Sequence, residues 1–521
     1  MKKNIKTLAA LLIASATFVA CSSDNDSIID NQQPVNPTGK YTMTIQASKG
    51  DGATTRALNL TDHTLNATWS EGEIVEVYQG GSKIGELTAA ASTDASTTLT
   101  GTFDAAPSTS ADLTFYFHTN TTSYSGQDGT LATIASSYDF CAPATVATGD
   151  FTVNSANHTI SVPAGISFGA NQQAIIKFTL KDKGNSDAAI SPSALTVTDG
   201  TSTVSLTDIP AATYTANEAA GVLYVAFPAA GSAKTVTLTA TAGGNTYSYE
   251  KTGVSFTNGQ YYEIGVKMSP IISLSDRTKY DDELVIADGY IVTGSAVGYS
   301  CKVAVADGAT VTLRDVENTG YIDGGSTTCP GIKCLGNATI ILEGNNTVRG
   351  GDTYAGIYVP EGKTLTIRGT GSLTVTGGIG GAGIGGNQEG NCGSIVISGG
   401  TITATGGSHG AGIGLGYSPE CVFGDITISG GTVTATGSGQ APGIGGPNAY
   451  FENINITITD GVTKVTVNKG SYSTYSIGTS DSDYMEYCGA ITIGGTEYFN
   501  GGNFENDGDS YLQTSPLVYQ P

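Results

Sequence analysis

"AGIGGNQEGNCGSIVISGGTITATGGSHGAGIGLG", residues Ala382–Gly416, holds one formally charged side chain, Glu389, and one histidine, His409. Glycine, threonine and isoleucine dominate it, so its purpose is to be sought in spacing. Isoleucine or valine beside glycine recurs along the chain at Val303, Ile332, Ile357, Ile384, Ile413, Ile444 and Ile477, in steps of 29, 25, 27, 29, 31 and 33 residues. A second register follows each of these, at Val311/Leu313, Ile340/Leu342, Leu365/Ile367, Ile395/Ile397, Ile426/Ile428, Ile456/Ile458 and Ile491/Ile493. A third runs through Leu373/Val375, Ile402/Ala404, Val433/Ala435 and Val465/Val467. Apolar residues two apart mark strands with one buried face, and three such strands per period predict the coils of a parallel β-helix. Each coil stacks on the last at the strand spacing, about 4.8 Å, so seven coils make a rod of roughly 35 Å. The paired glycines at 399–400 and 430–431 fall where narrow corners need positive φ or close backbone approach.

The outward positions of the third strand read Ser372, Thr374, Thr376, then Thr401, Thr403, Thr405, then Thr432, Thr434, Thr436. Threonine is β-branched and polar, and suits any exposed strand. The same flat, neutral array, centred on Thr374, Thr403 and Thr434, is also a candidate glycan face. Cys392 and Cys421 each lie eight residues beyond their ladder isoleucine, which predicts that they stack. They are either small buried residues or a coil-to-coil disulfide, as are Cys301 with Cys329 or Cys334.

Chemistry is sparse along this rod. Before the second-register strand, successive coils carry Ser394, Asp425 and Asn455, so carboxylates do not pair as glycoside hydrolysis requires. Asp315, Glu317 and Asp323 are read as solvated turn residues, and His409 stands alone. No phosphate-binding loop, zinc knuckle or nucleophilic triad pattern is present. The expectation is a non-enzyme with no catalytic residue, cofactor or metal.

The whole chain has 521 residues, 39 % of them hydrophobic, with 72 glycines and one tryptophan. Its formal net charge of −23 repels phosphate backbones and anionic headgroups, which excludes nucleic acid as a partner. Residues 40–268 read as short alternating strands, including "EIVEVY" (73–78), "QAIIKFTLKD" (173–182) and "KTVTLTATA" (234–242). This spacing predicts two β-sandwiches, 40–169 and 170–268, with Trp69 anchoring the first core. A linker or cap at 269–288 then leads into the β-helix at 289–521, whose tail "SYLQTSPLVYQP" covers its far end. The fold class expected is all-β: two N-terminal sandwiches followed by a parallel β-helix.

The N-terminus pairs Lys2, Lys3 and Lys6 with an apolar run, Leu8–Val19, too short to span a bilayer. "FVAC" follows, and residues 1–21 resemble a lipoprotein signal peptide cut before Cys21, which is then acylated. Several acyl chains on one residue give stable anchoring. Residues 22–39 are acidic and proline-containing, a disordered tether. Their "SSDND" resembles the signal that sends lipoproteins of Bacteroides-type bacteria to the outer face, and "DSI" (26–28) resembles the O-glycosylation pattern of those bacteria.

"TTRALNL" (54–60), "TWSEGEIVEVY" (68–78), "AIIKFTLKD" (174–182) and "FTNGQYYEIGVKM" (256–268) resemble the fimbrillin family of Bacteroides-type bacteria over about 230 residues. The resemblance implies a lipoprotein precursor with two β-sandwiches. In many members, a cut after an arginine releases the first strand, and a neighbouring subunit's strand fills the groove. The matching residue is Arg56, which is either cut or left intact in an anchored monomer. The glycine-rich units of 331–495 also resemble those of carbohydrate-binding β-helix proteins of gut bacteria. A fimbrial stalk subunit ends near its sandwich; this chain runs on into a solenoid. That departure favours a tip or accessory adhesin on the outer membrane, held by lipid on Cys21, with fimbrial subunits, glycans or a host surface as partners. The alternatives are a stand-alone surface glycan-binding lipoprotein and a polysaccharide lyase or hydrolase.

Overall fold

The computed structural model describes residues 39–521 except 50–58, 62–63, 67–68, 93–95, 218, 230, 278–281, 297–301, 320–328, 418–420, 448–453, 486–487 and 501. The protein is all-β. Beyond residue 284 it winds as a stacked series of parallel coils. Ile332 pairs with Ile357, and the same column continues through Ile384, Ile413 and Ile444 to Ile477. These six side chains are at most 1 % exposed. The second column runs Ile395, Ile426, Ile456, Ile491, and the third runs Leu373, Ile402, Val433, Val465. All three feed one continuous apolar core. Branched side chains stacked at the strand spacing exclude water along the whole axis, which fixes register: a slip by one residue would turn every isoleucine outward.

Two details differ from the spacing. In the early coils Ile340 stacks on Ile367 rather than Leu365, because the inner row is one residue pair longer and begins at Ala338. The corner glycines Gly400 and Gly431 have φ of +88° and +79°, yet strands Ser394–Thr405 and Ile426–Thr436 run through the bend. The backbone turns at glycine while its pairing to the next coil continues.

The first unit is a nine-stranded sheet closed over a core that includes Trp69, 2 % exposed and edge-on to Phe117 at 5.5 Å. Strand Tyr41–Lys49 lies inside this sheet. It pairs antiparallel with Ser96–Phe103 on one side and parallel with Thr159–Ser161 and Ile166–Phe168 on the other. The second unit is a two-layer sandwich with Ala174–Asp182 and Val222–Phe227 in one layer, and Ala194–Thr198, Lys234–Ala242 and Asn245–Val254 in the other. The two units are clasped. Ile134, fully buried, packs with Ile175, Tyr224 and Ala226, and the Gln127 side chain exchanges two hydrogen bonds with the Ala226 backbone, at 2.9 and 2.8 Å.

Strand Tyr261–Ser273 joins sandwich to solenoid. Residues 261–268 pair with Ala174–Asp182, 269–271 pair with Asn245–Val254, and 271–273 pair in parallel with Ile291–Thr293. One hydrogen-bonded sheet of 22 strands therefore passes from the second unit into the β-helix. Part of the segment expected as a linker, 269–288, is sheet: Leu284–Ile286 already pairs with Val303–Val305 and starts the ladder. At the far end, helix Gly508–Gln513 buries Leu512, and strand Leu517–Tyr519 lies antiparallel on Val465–Val467. Among the described residues no helix is long and apolar enough to cross a membrane.

Candidate recognition surfaces

The outer row of the third solenoid strand is a register of hydroxyls. Thr374 pairs with Thr403 and Thr403 with Thr434 on successive coils, and the column extends to Thr347 and Thr466. Thr374 and Thr403 are exposed and Thr434 is half-buried. Flanking columns run Asn345, Ser372, Thr401, Thr432, Lys464 and Arg349, Thr376, Thr405, Thr436, Asn468. The face is neutral, with Arg349 and Lys464 at opposite ends. Threonine holds few χ1 rotamers, so these hydroxyls form a stiff array at the coil spacing. It can donate and accept hydrogen bonds along a line, and it offers no group that would take up or release a proton near neutral pH.

The turn beside this face carries exposed apolar side chains: Ile379 is 59 % exposed and Tyr472 77 %. Tyr417 lies by His409, ring centroids 5.3 Å apart. Tyr475 instead belongs to the core, 1 % exposed, its hydroxyl donating to Asp509 at 2.7 Å. Tyr354 and Tyr358 are half-buried, and Tyr450 lies outside the described residues.

The solenoid acids have coil-to-coil duties. The Asp307 carboxylate accepts the Asn337 N–H at 2.8 Å, and the Asn337 side chain accepts the Thr364 N–H at 2.9 Å. Asp425 accepts from Asn455 N–H, and Asn455 accepts from Ala490 N–H, at 2.8 and 3.0 Å. Asp315, at φ +52°, accepts the Asn345 N–H at 2.9 Å. It is exposed, as the sequence suggested, and it also caps a backbone donor of the next coil. Such side chains satisfy backbone donors at the corners, where the ladder is interrupted.

Of the two readings of Cys392 and Cys421, the coil-to-coil disulfide is not formed, and register gives the reason. Ile395 pairs with Ile426, and the Cys392 N–H donates to the Val422 carbonyl at 2.9 Å while Gly424 N–H donates back to Cys392 at 3.0 Å. Cys392 therefore stacks on Phe423. Its coil has two fewer residues between the isoleucine ladder and the next strand, so counting from the ladder gave the wrong partner. Cys392, Cys334 and Cys488 are buried thiols, and none of them is in a disulfide. The Cys392 thiol donates to the Gly393 carbonyl at 3.2 Å. Burial raises its pKa, with Cys334 adding to the effect, and burial pushes Cys334 up to about 12. Cys301, Cys21 and Arg56 lie outside the described residues.

Strand Tyr41–Lys49, which precedes Arg56 in the chain, buries Met43, Ile45 and Ala47 at no more than 2 % exposure. A further concavity, invisible to sequence spacing, sits where the second unit meets the first coils. It is a cleft of about 410 Å³, lined by Ser248, Ser269, Thr312, Arg314, Glu343 and Lys183, among others. Lys183 and Arg314 are far apart in sequence, and no short motif links them.

The sequence model of the beta-helix repeat family matches residues 395–417 and 426–448. No curated protein matches the chain. Among solved structures, a candidate cell-adhesion protein of Bacteroides uniformis is 14 % identical, covering 45 % of this chain and 94 % of its own, with a TM-score of 0.22. The TIE protein of Bacillus anthracis is 10 % identical over 46 % of this chain and 37 % of its own, TM-score 0.13. A shaft pilin of Lactobacillus rhamnosus is 10 % identical over 44 % of this chain and 98 % of its own, TM-score 0.22. The functional reading rests on this chain's own geometry.

Proposed function

We propose that the protein is a surface adhesin, anchored to the outer membrane by lipid on Cys21, that serves as a terminal or accessory fimbrial subunit and displays its β-helix for recognition. The observation that carries this reading is the seat of strand Tyr41–Lys49. It is a single-pass strand paired on both edges, with its apolar side buried, and Arg56 follows it within a few residues. A cut after Arg56 turns that strand into a separable peptide. Its departure bares two strand edges and an apolar slot, the conditions for β-augmentation by another subunit. The chain's own C-terminal strand, Leu517–Tyr519, is committed to the solenoid end.

The test is to cut the purified chain with an arginine-specific protease and follow strand 41–49 by mass spectrometry. Release of the peptide, followed by stable uptake of a fimbrial donor-strand peptide, is expected. A chain that resists cutting at Arg56, or keeps its strand after cutting, argues for an anchored monomer. The threonine columns favour a second reading, a stand-alone glycan-binding lipoprotein. A non-catalytic role in both readings is supported by Asp307, Asp315 and Asp425, whose carboxylates hold adjacent coils together.

A further inference from the structure

The cleft between the sandwich and the solenoid is built on one face of five neighbouring strands. Ser248 pairs with Ser269, Ile271 with Ile291, Ile291 with Thr312, and Thr312 with Ile341. Its floor is therefore a row that crosses strands, parallel to the coil axis. Hydroxyls of Ser248, Ser269 and Thr312 alternate there with the aliphatic Ile291 and Ile341. Arg314 crosses to Glu343 at 2.7 Å on one wall, and Lys267 pairs with Asp187 near the other. Lys183 stands at the rim, with no hydrogen bond or ion pair from its ammonium to the described residues.

We infer that this cleft binds an uncharged, hydroxyl-rich saccharide chain, an inference that names the ligand class and the site for the recognition role proposed above. Three arguments converge. Its charges nearly balance: Lys183, Lys267 and Arg314 line it with Glu250 and Glu343, and Asp187, outside the lining, pairs with Lys267. A polyanion would meet the field of a −23 protein with a surplus of only one lining cation to offset it. Fixed ion pairs and hydroxyls supply donors and acceptors side by side, as a sugar's hydroxyls need, and the isoleucines supply surface for its C–H faces. A polypeptide is disfavoured because Ser248, Ile291, Thr312 and Ile341 on the floor are each paired with strands on both sides, which leaves no free edge at these positions for strand addition.

The experiment uses the whole mature chain, wild type and variants, against uncharged oligosaccharides on an array and by calorimetry, with polygalacturonate and unfolded carboxymethylated casein as the competing classes. Lys183→Ala removes an unpaired rim donor, and Thr312→Trp fills the floor from an outward position; both leave the core untouched. Expected is binding of at least one uncharged saccharide, at least tenfold weaker in both variants and unchanged in Thr403→Glu. No uncharged ligand, binding that survives both cleft variants, loss only on Thr403→Glu, or preference for polygalacturonate or casein each overturns the inference. Strand release after Arg56 is read separately, so a protein that assembles yet binds no sugar sinks this inference alone.

Discussion

Gly385 lies so close to Gly414 on the next coil that a β-carbon placed on it would run into the Gly414 carbonyl oxygen. The same relation links Gly414 to Gly445 and Gly445 to Gly478, all with φ between +106° and +137°. Two penalties coincide there: a backbone conformation that L-residues avoid and a clash with main chain that cannot rotate away. Gly414→Ala is therefore expected to cost at least about 2 kcal/mol and lower the melting temperature by several degrees. Gly362→Ala, at φ +68° with open space around it, should cost less. Thermal denaturation of the two variants gives the comparison; equal effects would mean the coils part easily at this column.

The buried thiols give a chemical check on register. Burial raises the pKa of Cys392, Cys334 and Cys488, the last two to about 12, so near pH 8 almost none of each is thiolate. Alkylation of the native protein near pH 8 should leave these three unmodified, while the same reagent after denaturation labels them. Reductant should not change the melting temperature through Cys392. Peptide mapping that finds Cys392 joined to Cys421 would mean that the coil between them is packed differently.

The isoleucine ladder was legible because each coil repeats one residue type beside glycine, and water exclusion punishes any other register. The cysteine stacking was misread because loop lengths vary by two residues between coils, and only the hydrogen-bonded strand re-sets the count. The second sandwich was expected to end at 268, yet strand Tyr261–Ser273 runs five residues beyond it. In the fold, Pro270 falls where the strand changes partners, from Ala174–Asp182 to Asn245–Val254. The cleft went unseen for the same reason: its walls exist only because that strand continues. The clasp of Gln127 and Ile134 on the second unit likewise depends on tertiary contacts without local periodicity.

Glu76 links stability to acidity in the first unit. Partial burial pushes its pKa up, but this is outweighed by hydrogen bonds from Lys83 at 2.7 Å and the Asn120 N–H at 3.0 Å, by the Lys83 charge and by the Tyr78 hydroxyl. The net shift is below the ordinary 4.5. A lowered folded pKa means the unfolded chain takes up the proton first. The contribution is thus present above the unfolded value and lost as pH falls through the folded one. Glu76→Gln should cost on the order of 1 kcal/mol near neutral pH, since Lys83 is partly solvated. The gap to wild type should close below pH ~4. Denaturant melts at the two acidities measure it; a gap independent of pH would assign the loss to packing.

The far end of the solenoid poses the problem that any stacked coil faces, an open sheet edge. Strand Leu517–Tyr519 covers Val465–Val467, Leu517 is 1 % exposed, and the Tyr519 hydroxyl donates to the Asp460 carboxylate. Deleting residues 515–521 removes the partner of that edge and uncovers the slot that Leu517 fills, a loss of about 1.5–3 kcal/mol for that side chain alone. Bared edges of this kind pair with one another. The truncated protein is expected to self-associate with rising concentration in sedimentation velocity runs, and to melt at lower temperature, while the full chain stays monodisperse. Leu517→Ala separates the two roles: it keeps the backbone pairing, so it should lose stability without gaining association. A truncated chain that remains monomeric would place the end cover in helix Gly508–Gln513 instead, where Leu512 is already sealed against the last coils.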